Sequence, residues 1–329
     1  MRAAYVRWVG PDSVIEIGDL PVPTPGASEV LVKVTAVAIN PVDNYIRTGR
    51  FQTPVPLPFV VGRDLVGTVV ESGSPALGFA PGERVWCNSM GHDGRPGAIS
   101  EYVVVPVDRL YRLPDGADPE QGVALAQPAA TAYLGCFVHG NVRAGETVFV
   151  GGGGGNIGLA AIRMARMAGA RVLATARPDD HQRCRDAGAE VVVDYHAAPM
   201  VDRMLDAAGG VDVYWETSGR HDFDRVERVA APGCRVLVTA AAEQRPTVPL
   251  PQLYMRDVSL IGFVISRATV DQLRAAADLI NPELAAGTLT ARIADRLPLG
   301  RTAEAYRRLA EGRVRGRLLV DLAGRTATR

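Results

Sequence analysis

Lysine is nearly missing from this 329-residue chain: Lys33 stands alone, and the other 35 of its 36 basic residues are arginine. That bias reflects a GC-rich coding background, and it excludes chemistry built on a lysine Schiff base. Cysteine is scarce and scattered. Cys87, Cys136, Cys184 and Cys234 lie about fifty residues apart with no C-x-x-C pair, which speaks against a zinc knuckle or a compact disulfide framework. Aromatic residues make up only 6% of the chain, and 36 basic residues balance 36 acidic ones. A zero net charge leaves no basic field to recruit nucleic acid or an anionic membrane. No stretch of about 18 uninterrupted apolar residues occurs, and the opening MRAAYVRWVG lacks the apolar core of a signal peptide. The expectation is a soluble cytoplasmic protein, with neither nucleic acid nor membrane as partner.

What is abundant is glycine in one place. Val148-Phe149-Val150 runs into five consecutive glycines, Gly151 to Gly155, then Asn156-Ile157-Gly158 and the helix-forming Leu159-Ala160-Ala161-Ile162. Strand, glycine turn and helix in that order let backbone amides approach a pyrophosphate at a helix N-terminus. Read as G-x-x-G-x-x-G on Gly152, Gly155 and Gly158, the stretch predicts a dinucleotide site. The plainer alternative is a tight turn beneath a packed helix. No G-K-[ST] follows, which disfavours a P-loop.

The length predicts two domains. Through about residue 120 the chain carries short β-type runs (Val30–Val37, Leu65–Glu71, Arg84–Cys87, Ser100–Val105) punctuated by Pro and Gly turns. From about Gln121 strands and helices alternate. Strand-like Thr147–Val150, Arg171–Ala176, Glu190–Val193, Val211–Glu216 and Arg235–Thr239 enclose helical segments 157–168, 179–187, 200–207 and 222–230, the signature of a doubly wound parallel sheet. Val258–Ile265 reads as one more strand. The tail, with helices at 270–285 and 303–311 and a last strand at 317–322, is expected to return to the β domain. The division is thus 1–122 with 267–329, and 123–266, with a cleft between them.

Several segments together resemble the zeta-crystallin-like quinone oxidoreductases of the medium-chain dehydrogenase/reductase superfamily. Asn40-Pro41-Val42-Asp43-Asn44-Tyr45-Ile46-Arg47-Thr48-Gly49 is similar to their N-P-V-D-x-Y-I-R-x-G segment, and Gly62-Arg63-Asp64-Leu65-Val66-Gly67 to G-x-D-x-x-G. Gly82-Glu83-Arg84-Val85, Ser100-Glu101-Tyr102-Val103, Pro128-Ala129-Ala130-Thr131-Ala132-Tyr133 and Arg317-Leu318-Leu319-Val320 follow in family order. The resemblance implies an α/β fold: a Rossmann sheet plus a mostly β, GroES-like catalytic domain. It departs at the glycine loop, usually A-S-G-G-x-G. Here Gly153, Gly154 and Asn156 replace family residues, and a loop made mobile by extra glycine is expected. A second departure is Phe51, where relatives often carry a tyrosine hydroxyl.

The zinc branch of the superfamily needs Cys, a His-Glu pair and a further Cys or Glu. The corresponding positions read Asn40, Arg63-Asp64 and Gln127, so the expectation is no metal. His92, His139, His181, His196 and His221 form no ligand-spaced cluster.

For the cofactor, strand 171–176 ends without the acid that binds a ribose 2′-hydroxyl, and Arg177 follows; it could clamp a 2′-phosphate. NADPH is therefore the expected cofactor. Asp179 and Asp180 are the contrary signal, although they also suit the first turn of a helix. By resemblance, Tyr195 packs by the adenosine phosphate. Thr131, Ser218 and the Phe263-Val264 strand are expected along the nicotinamide, and Asn156 and Ile157 in the loop.

A quinone or α,β-unsaturated carbonyl accepts hydride at carbon and develops charge on oxygen, so donors are needed there. Asn40 and Tyr45 are the candidates, with Asp43 holding their loop; the alternative is that Asn40 and Asp43 only form a turn beside Pro41. Two other readings stay open: a tailoring enoyl reductase of a polyketide-type pathway, and a non-enzymatic cofactor- or RNA-binding relative. The apolar strand 259–265 at a sheet edge predicts a homodimer.

Overall fold

The computed structural model describes residues 1–197, 200–240 and 245–324 and divides them into two compact units, one made of 1–127 and 273–329 and one of 128–272. The first unit begins with β1 (Arg2–Val6), β2 (Glu16–Asp19) and β3 (Glu29–Ala38), then a short helix α1 (Pro41–Arg47). There follow β4 (Phe59–Val60), β5 (Asp64–Ser72), β6 (Arg84–Cys87), β7 (Tyr102–Pro106) and β8 (Tyr111–Arg112). Helix α2 (Pro119–Tyr133) leads into the second unit and continues as a π-helical turn, Leu134–His139.

In the second unit β9 (Thr147–Gly151), α3 (Asn156–Met167), β10 (Arg171–Ala176), α4 (His181–Asp186), β11 (Val191–Asp194) and α5 (Met200–Ala208) alternate. They are followed by β12 (Val211–Glu216), α6 (Phe223–Val229), β13 (Ala230–Val238), α7 (Leu250–Tyr254) and β14 (Ser259–Gly262). The strands form one parallel sheet in the order β11-β10-β9-β12-β13-β14. The strand order reverses between β9 and β12, the topological switch point where such sheets bind ligands at their carboxyl ends. Phe149, Leu173, Tyr214 and Val236 belong to one core cluster of this unit, and α3 buries Leu159, Ile162 and Met164.

The chain then returns through α8 (Val270–Ala285), β15 (Ile293–Pro298), α9 (Thr302–Ala310) and β16 (Arg317–Asp321). Strand β16 pairs antiparallel with β3, completing the sheet β15-β16-β3-β5-β6-β8, with β7 also on β3. A smaller sheet, β2-β1-β4, lies beside it. Long β3 carries this unit because its Val-rich alternation buries Val30, Val32, Val34 and Val37 in one core with Leu65, Val85 and Leu318. The fold is therefore a Rossmann-type parallel sheet plus a mostly antiparallel GroES-like unit.

Three features differ from the sequence reading. Residues 41–47 form a helix rather than a turn, because Pro41 suits the first helical position and Asp43 turns its carboxylate back onto the Asn40 amide. Strand β13 starts at Ala230, five residues earlier than its apolar run, and its register shifts across Pro232-Gly233. The helix expected at 179–187 opens with a 3-10 turn, Pro178–Asp180, before α4.

Candidate functional site

In the second unit the glycines are required by what lies against them. Gly152 has φ of +69°, a conformation that costs other residues energy. A Cβ on Gly158 would stand 2.3 Å from the Gly152 carbonyl oxygen, and one on Gly151 would stand 2.1 Å from the buried Glu216 carboxylate. The loop is stitched to its surroundings. The Gly153 amide donates to the Thr175 carbonyl (2.8 Å) and the Gly155 amide to Gly152 (2.9 Å). Thr217 bonds the Gly151 carbonyl twice, through its hydroxyl (2.8 Å) and its amide (3.1 Å). Gly155 caps α3, so Asn156, Ile157 and Gly158 form its first turn, with the positive end of the helix dipole at the loop. The turn after β12 closes on the same place: the Ser218 amide donates to Glu216 Oε1 (3.0 Å), and a Cβ on Gly152 would come 3.6 Å from that of Ser218. A glycine loop packed this closely on its surroundings, opening onto a helix N-terminus, fits a dinucleotide pyrophosphate.

At the end of β10 the exposed Arg177 Nε donates to the Tyr195 hydroxyl at 2.7 Å. Sequence reasoning named both residues separately, and the fold brings them together because β10 and β11 are neighbours. The His196 ring lies tilted against Tyr195, ring centroids 4.3 Å apart. Asp180 is buried against Gly154. Phe263 stacks on His139 (4.4 Å) and packs against Trp215 (5.9 Å), so its ring is anchored within the unit. Val264 caps the following 3-10 turn. Thr131, inside α2, is buried with its hydroxyl lacking a partner.

In the first unit the Asn40 loop is built on a buried charge network. The Asn40 side-chain amide donates to Asp64 Oδ2 (2.9 Å) and to the Ala38 carbonyl (3.2 Å), while its oxygen accepts from Arg317 (2.6 Å). Arg317 also reaches Asp64 (3.3 Å). Asp43 Oδ2 accepts from the Asn40 amide (2.9 Å) and the Tyr306 hydroxyl (3.1 Å). Burial, and then the neighbouring Asp64 charge, pushes Asp43 up to about 7, and burial lifts Asp64 to about 6. Both amide protons of Asn40 are therefore engaged inside the unit, because a buried carboxylate must be hydrogen-bonded. Asn40 and Asp43 face one another across this network, whereas Tyr45, one turn on, is 39% exposed with the Arg50 guanidinium 4.6 Å over its ring. Sequence reasoning missed Arg63, Tyr306 and Arg317, whose burial only the tertiary fold reveals. His92 lies in the loop between β6 and β7. His92 is half-buried and packs on Phe51 (5.7 Å), and burial with the nearby Arg63 and Arg95 pushes it down to about 4.

A parallel sheet with a backbone cradle at its switch point, joined to a GroES-like unit, defines a dinucleotide-dependent oxidoreductase. Residues 26–115 match the alcohol dehydrogenase GroES-like domain, and residues 156–281 the zinc-binding dehydrogenase domain. The chain is 30% identical over 318 residues to mouse (Mus musculus) quinone oxidoreductase, covering 95% of each. It is 31% identical over 223 residues to the trans-enoyl reductase tazE of Aspergillus terreus, covering 63% of this chain and 73% of that one. Among solved structures, an NAD-dependent alcohol dehydrogenase superposes with TM-score 0.86 at 31% identity, covering 98% of this chain and 100% of its own. A mycobacterial protein complexed with NADPH gives 0.81 at 26% identity, covering 98% and 100%. The chain belongs to the quinone oxidoreductase family of the medium-chain dehydrogenase/reductase superfamily.

One matched domain is described as zinc-binding, so the donor set matters. Arg63 and Arg317 place two buried guanidiniums beside Asp43 and Asp64, and the buried Gln127 side-chain oxygen has no partner. Among the described residues no three His, Cys, Asp or Glu side chains converge on one point. Cations already occupy the carboxylates' surroundings, and these residues do not fit a zinc ion.

Proposed function

We propose that the chain is an NADPH-dependent, metal-free oxidoreductase of the cytoplasm that reduces quinones or α,β-unsaturated carbonyl compounds. The observation that carries the cofactor choice is Arg177, hydrogen-bonded through Nε to Tyr195 at the end of a strand whose last residue is Ala176. With Nε held, the guanidinium presents its planar nitrogens to a 2′-phosphate. Of the two contrary signals in the sequence, Asp180 packs against Gly154 and Asp179 is exposed.

When bound, the nicotinamide supplies the hydride. The chain's own residues do the rest. The Gly152–Gly158 loop and the α3 N-terminus bind pyrophosphate, Thr217 holds that loop in shape, and Thr131, Ser218, Phe263 and Val264 line the nicotinamide. The Tyr45 hydroxyl donates to the substrate oxygen as charge develops there. Asn40 and Asp43 position its helix. The test is fluorescence titration with NADPH and NADH, then NADPH oxidation with a quinone and with an enone. NADPH binding with turnover of either acceptor is expected, and absence of NADPH binding overturns the reading.

A second reading, a tailoring enoyl reductase, is favoured by the similarity to trans-enoyl reductase tazE and by Phe51 replacing the family tyrosine. Turnover of an α,β-unsaturated acyl thioester but of no quinone would select it. For assembly, β14 pairs with β13 on one side and, among the described residues, has no strand on its other edge, where Leu260 is exposed. We assign that edge to a second copy of the chain.

A further inference from the structure

The first unit carries an open groove of about 420 Å³ walled by Trp8, Val9, Phe51, Val55 and Leu57. We propose that this groove is a binding site for the neutral aliphatic or aryl tail of the substrate, so that the enzyme acts on lipophilic rather than compact acceptors; this rests on the function proposed above.

Four observations carry it. The groove has no charged residue in its lining, although 22% of the chain is charged. Its two polar members are Gln52 and Thr53, and the Thr53 hydroxyl already accepts from the Asp93 amide (2.9 Å). Of the two charges adjacent to the groove in sequence, Arg50 is turned onto the Tyr45 ring and Arg7 is paired with Glu16 (2.8 Å). The groove starts where the Tyr45 helix ends, since the Phe51 amide donates to the Tyr45 carbonyl (2.9 Å). A substrate whose oxygen meets the Tyr45 hydroxyl can therefore lay its tail along Phe51.

Trp8 is 51% exposed and Leu57 61%, which leaves a contiguous apolar surface in water. The walls are fixed before any ligand arrives: the Gly10 amide is bonded to the Arg47 carbonyl (2.9 Å) and the Gly94 amide to Pro54 (2.8 Å). The volume falls within the range of small-molecule sites, roughly 300–1,000 Å³. The uncharged groove favours an apolar tail and offers no counter-charge to a phosphate or carboxylate.

The molecule carries its own probe. Of its three tryptophans, Trp86 and Trp215 are buried, so Trp8 alone emits from water. Titration with 2-decanone, a saturated ketone that cannot be reduced as an enone, is expected to shift Trp8 emission to the blue saturably. Half-saturation should come at a concentration at least tenfold lower than for 2-butanone, since each buried methylene contributes about 0.8 kcal/mol. A Trp8→Phe protein should lose the shift. In turnover, KM for 2-alkyl-1,4-benzoquinones is expected to fall at least tenfold from methyl to decyl, and Leu57→Asp to flatten that series. A KM independent of chain length, or no blue shift with 2-decanone, would overturn the inference. So would a blue shift on concentrating the protein without ligand, which would mean that a second copy covers the groove. If no quinone or enone is turned over, the proposed function falls, and the ketone titration still decides the groove.

Discussion

Asp180 stands where a side chain at position 154 would have to go: a Cβ built on Gly154 lies 2.7 Å from the Asp180 Cβ and 2.8 Å from its Oδ2. The second glycine of the replaced A-S pair is thus matched to its neighbour rather than merely permissive. Gly154→Ala is expected to lower stability by about 1–3 kcal/mol, the cost of overpacking a close contact. Asp180→Gly in the same protein should recover part of it. A thermal-melt double-mutant cycle reads this, and simple additivity of the two changes would refute the pairing.

Arg177→Ala should weaken NADPH selectively. Losing a charge-assisted bond to a 2′-phosphate costs about 1.5–3 kcal/mol, or roughly 10–100-fold in kcat/KM. NADH, which lacks that phosphate, should change by less than about threefold. Tyr195→Phe removes only the hydroxyl that orients the guanidinium, and a loss of about 2–10-fold with NADPH is expected. Equal losses with both cofactors would exclude Arg177 from phosphate recognition.

Asp43 gives the fold a dependence on pH. Its folded pKa of about 7 exceeds the ordinary 3.8, so the folded chain holds this proton more tightly than the unfolded one. Its contribution to stability is complete below about pH 4 and is lost as pH rises to 7. Asp64, raised to about 6, acts in the same direction. Asp43→Asn should reduce the loss of stability between pH 4.5 and 7.5 by on the order of 2 kcal/mol. Thermal midpoints of both proteins at the two pH values measure it, and parallel pH profiles would contradict the assignment.

Tyr45→Phe should lower kcat by less than about tenfold, because an exposed hydroxyl can be replaced by solvent as donor. Rates with a quinone and with an enone, measured at saturating NADPH, test this. A loss beyond a hundredfold would make Tyr45 the obligatory proton source.

Leu260→Asp at the open edge of β14 should leave a monomer by sedimentation velocity, since a charge facing its own copy across a strand pair is unfavourable. An unchanged sedimentation coefficient would place any dimer contact elsewhere.

The second unit was legible in the sequence because its determinants are local. Apolar runs such as Val148–Val150 and Val211–Glu216 end in glycine or a turn, and β11 to β13 follow at short spacing. The cradle was legible for the same reason. Helix α1 was not, because Asn-Pro-x-Asp opens a turn and a helix with the same residues; only Asp43 reaching the Asn40 amide decides between them. Arg63 was hidden for a different reason. An arginine reads as surface unless its carboxylates are in view, and here Asp43 comes from a separate segment. The glycine loop shows both limits. Composition suggests slack there, and what the sequence did not show is that Thr175 and Thr217 bond the loop and Asp180 lies against Gly154.

The bond from Arg317 to Asn40 joins residues 277 positions apart. Strand β16, which carries Arg317, is also the antiparallel partner of β3. During synthesis, residues 1–127 therefore leave the ribosome with Asp64 and Asn40 lacking Arg317 and with the Ala36–Ala38 end of β3 lacking its β16 partner. The parallel-sheet unit is contiguous in sequence and has all its strands long before that. That unit has its full set of strands while the unit holding residues 1–127 still awaits β15 and β16.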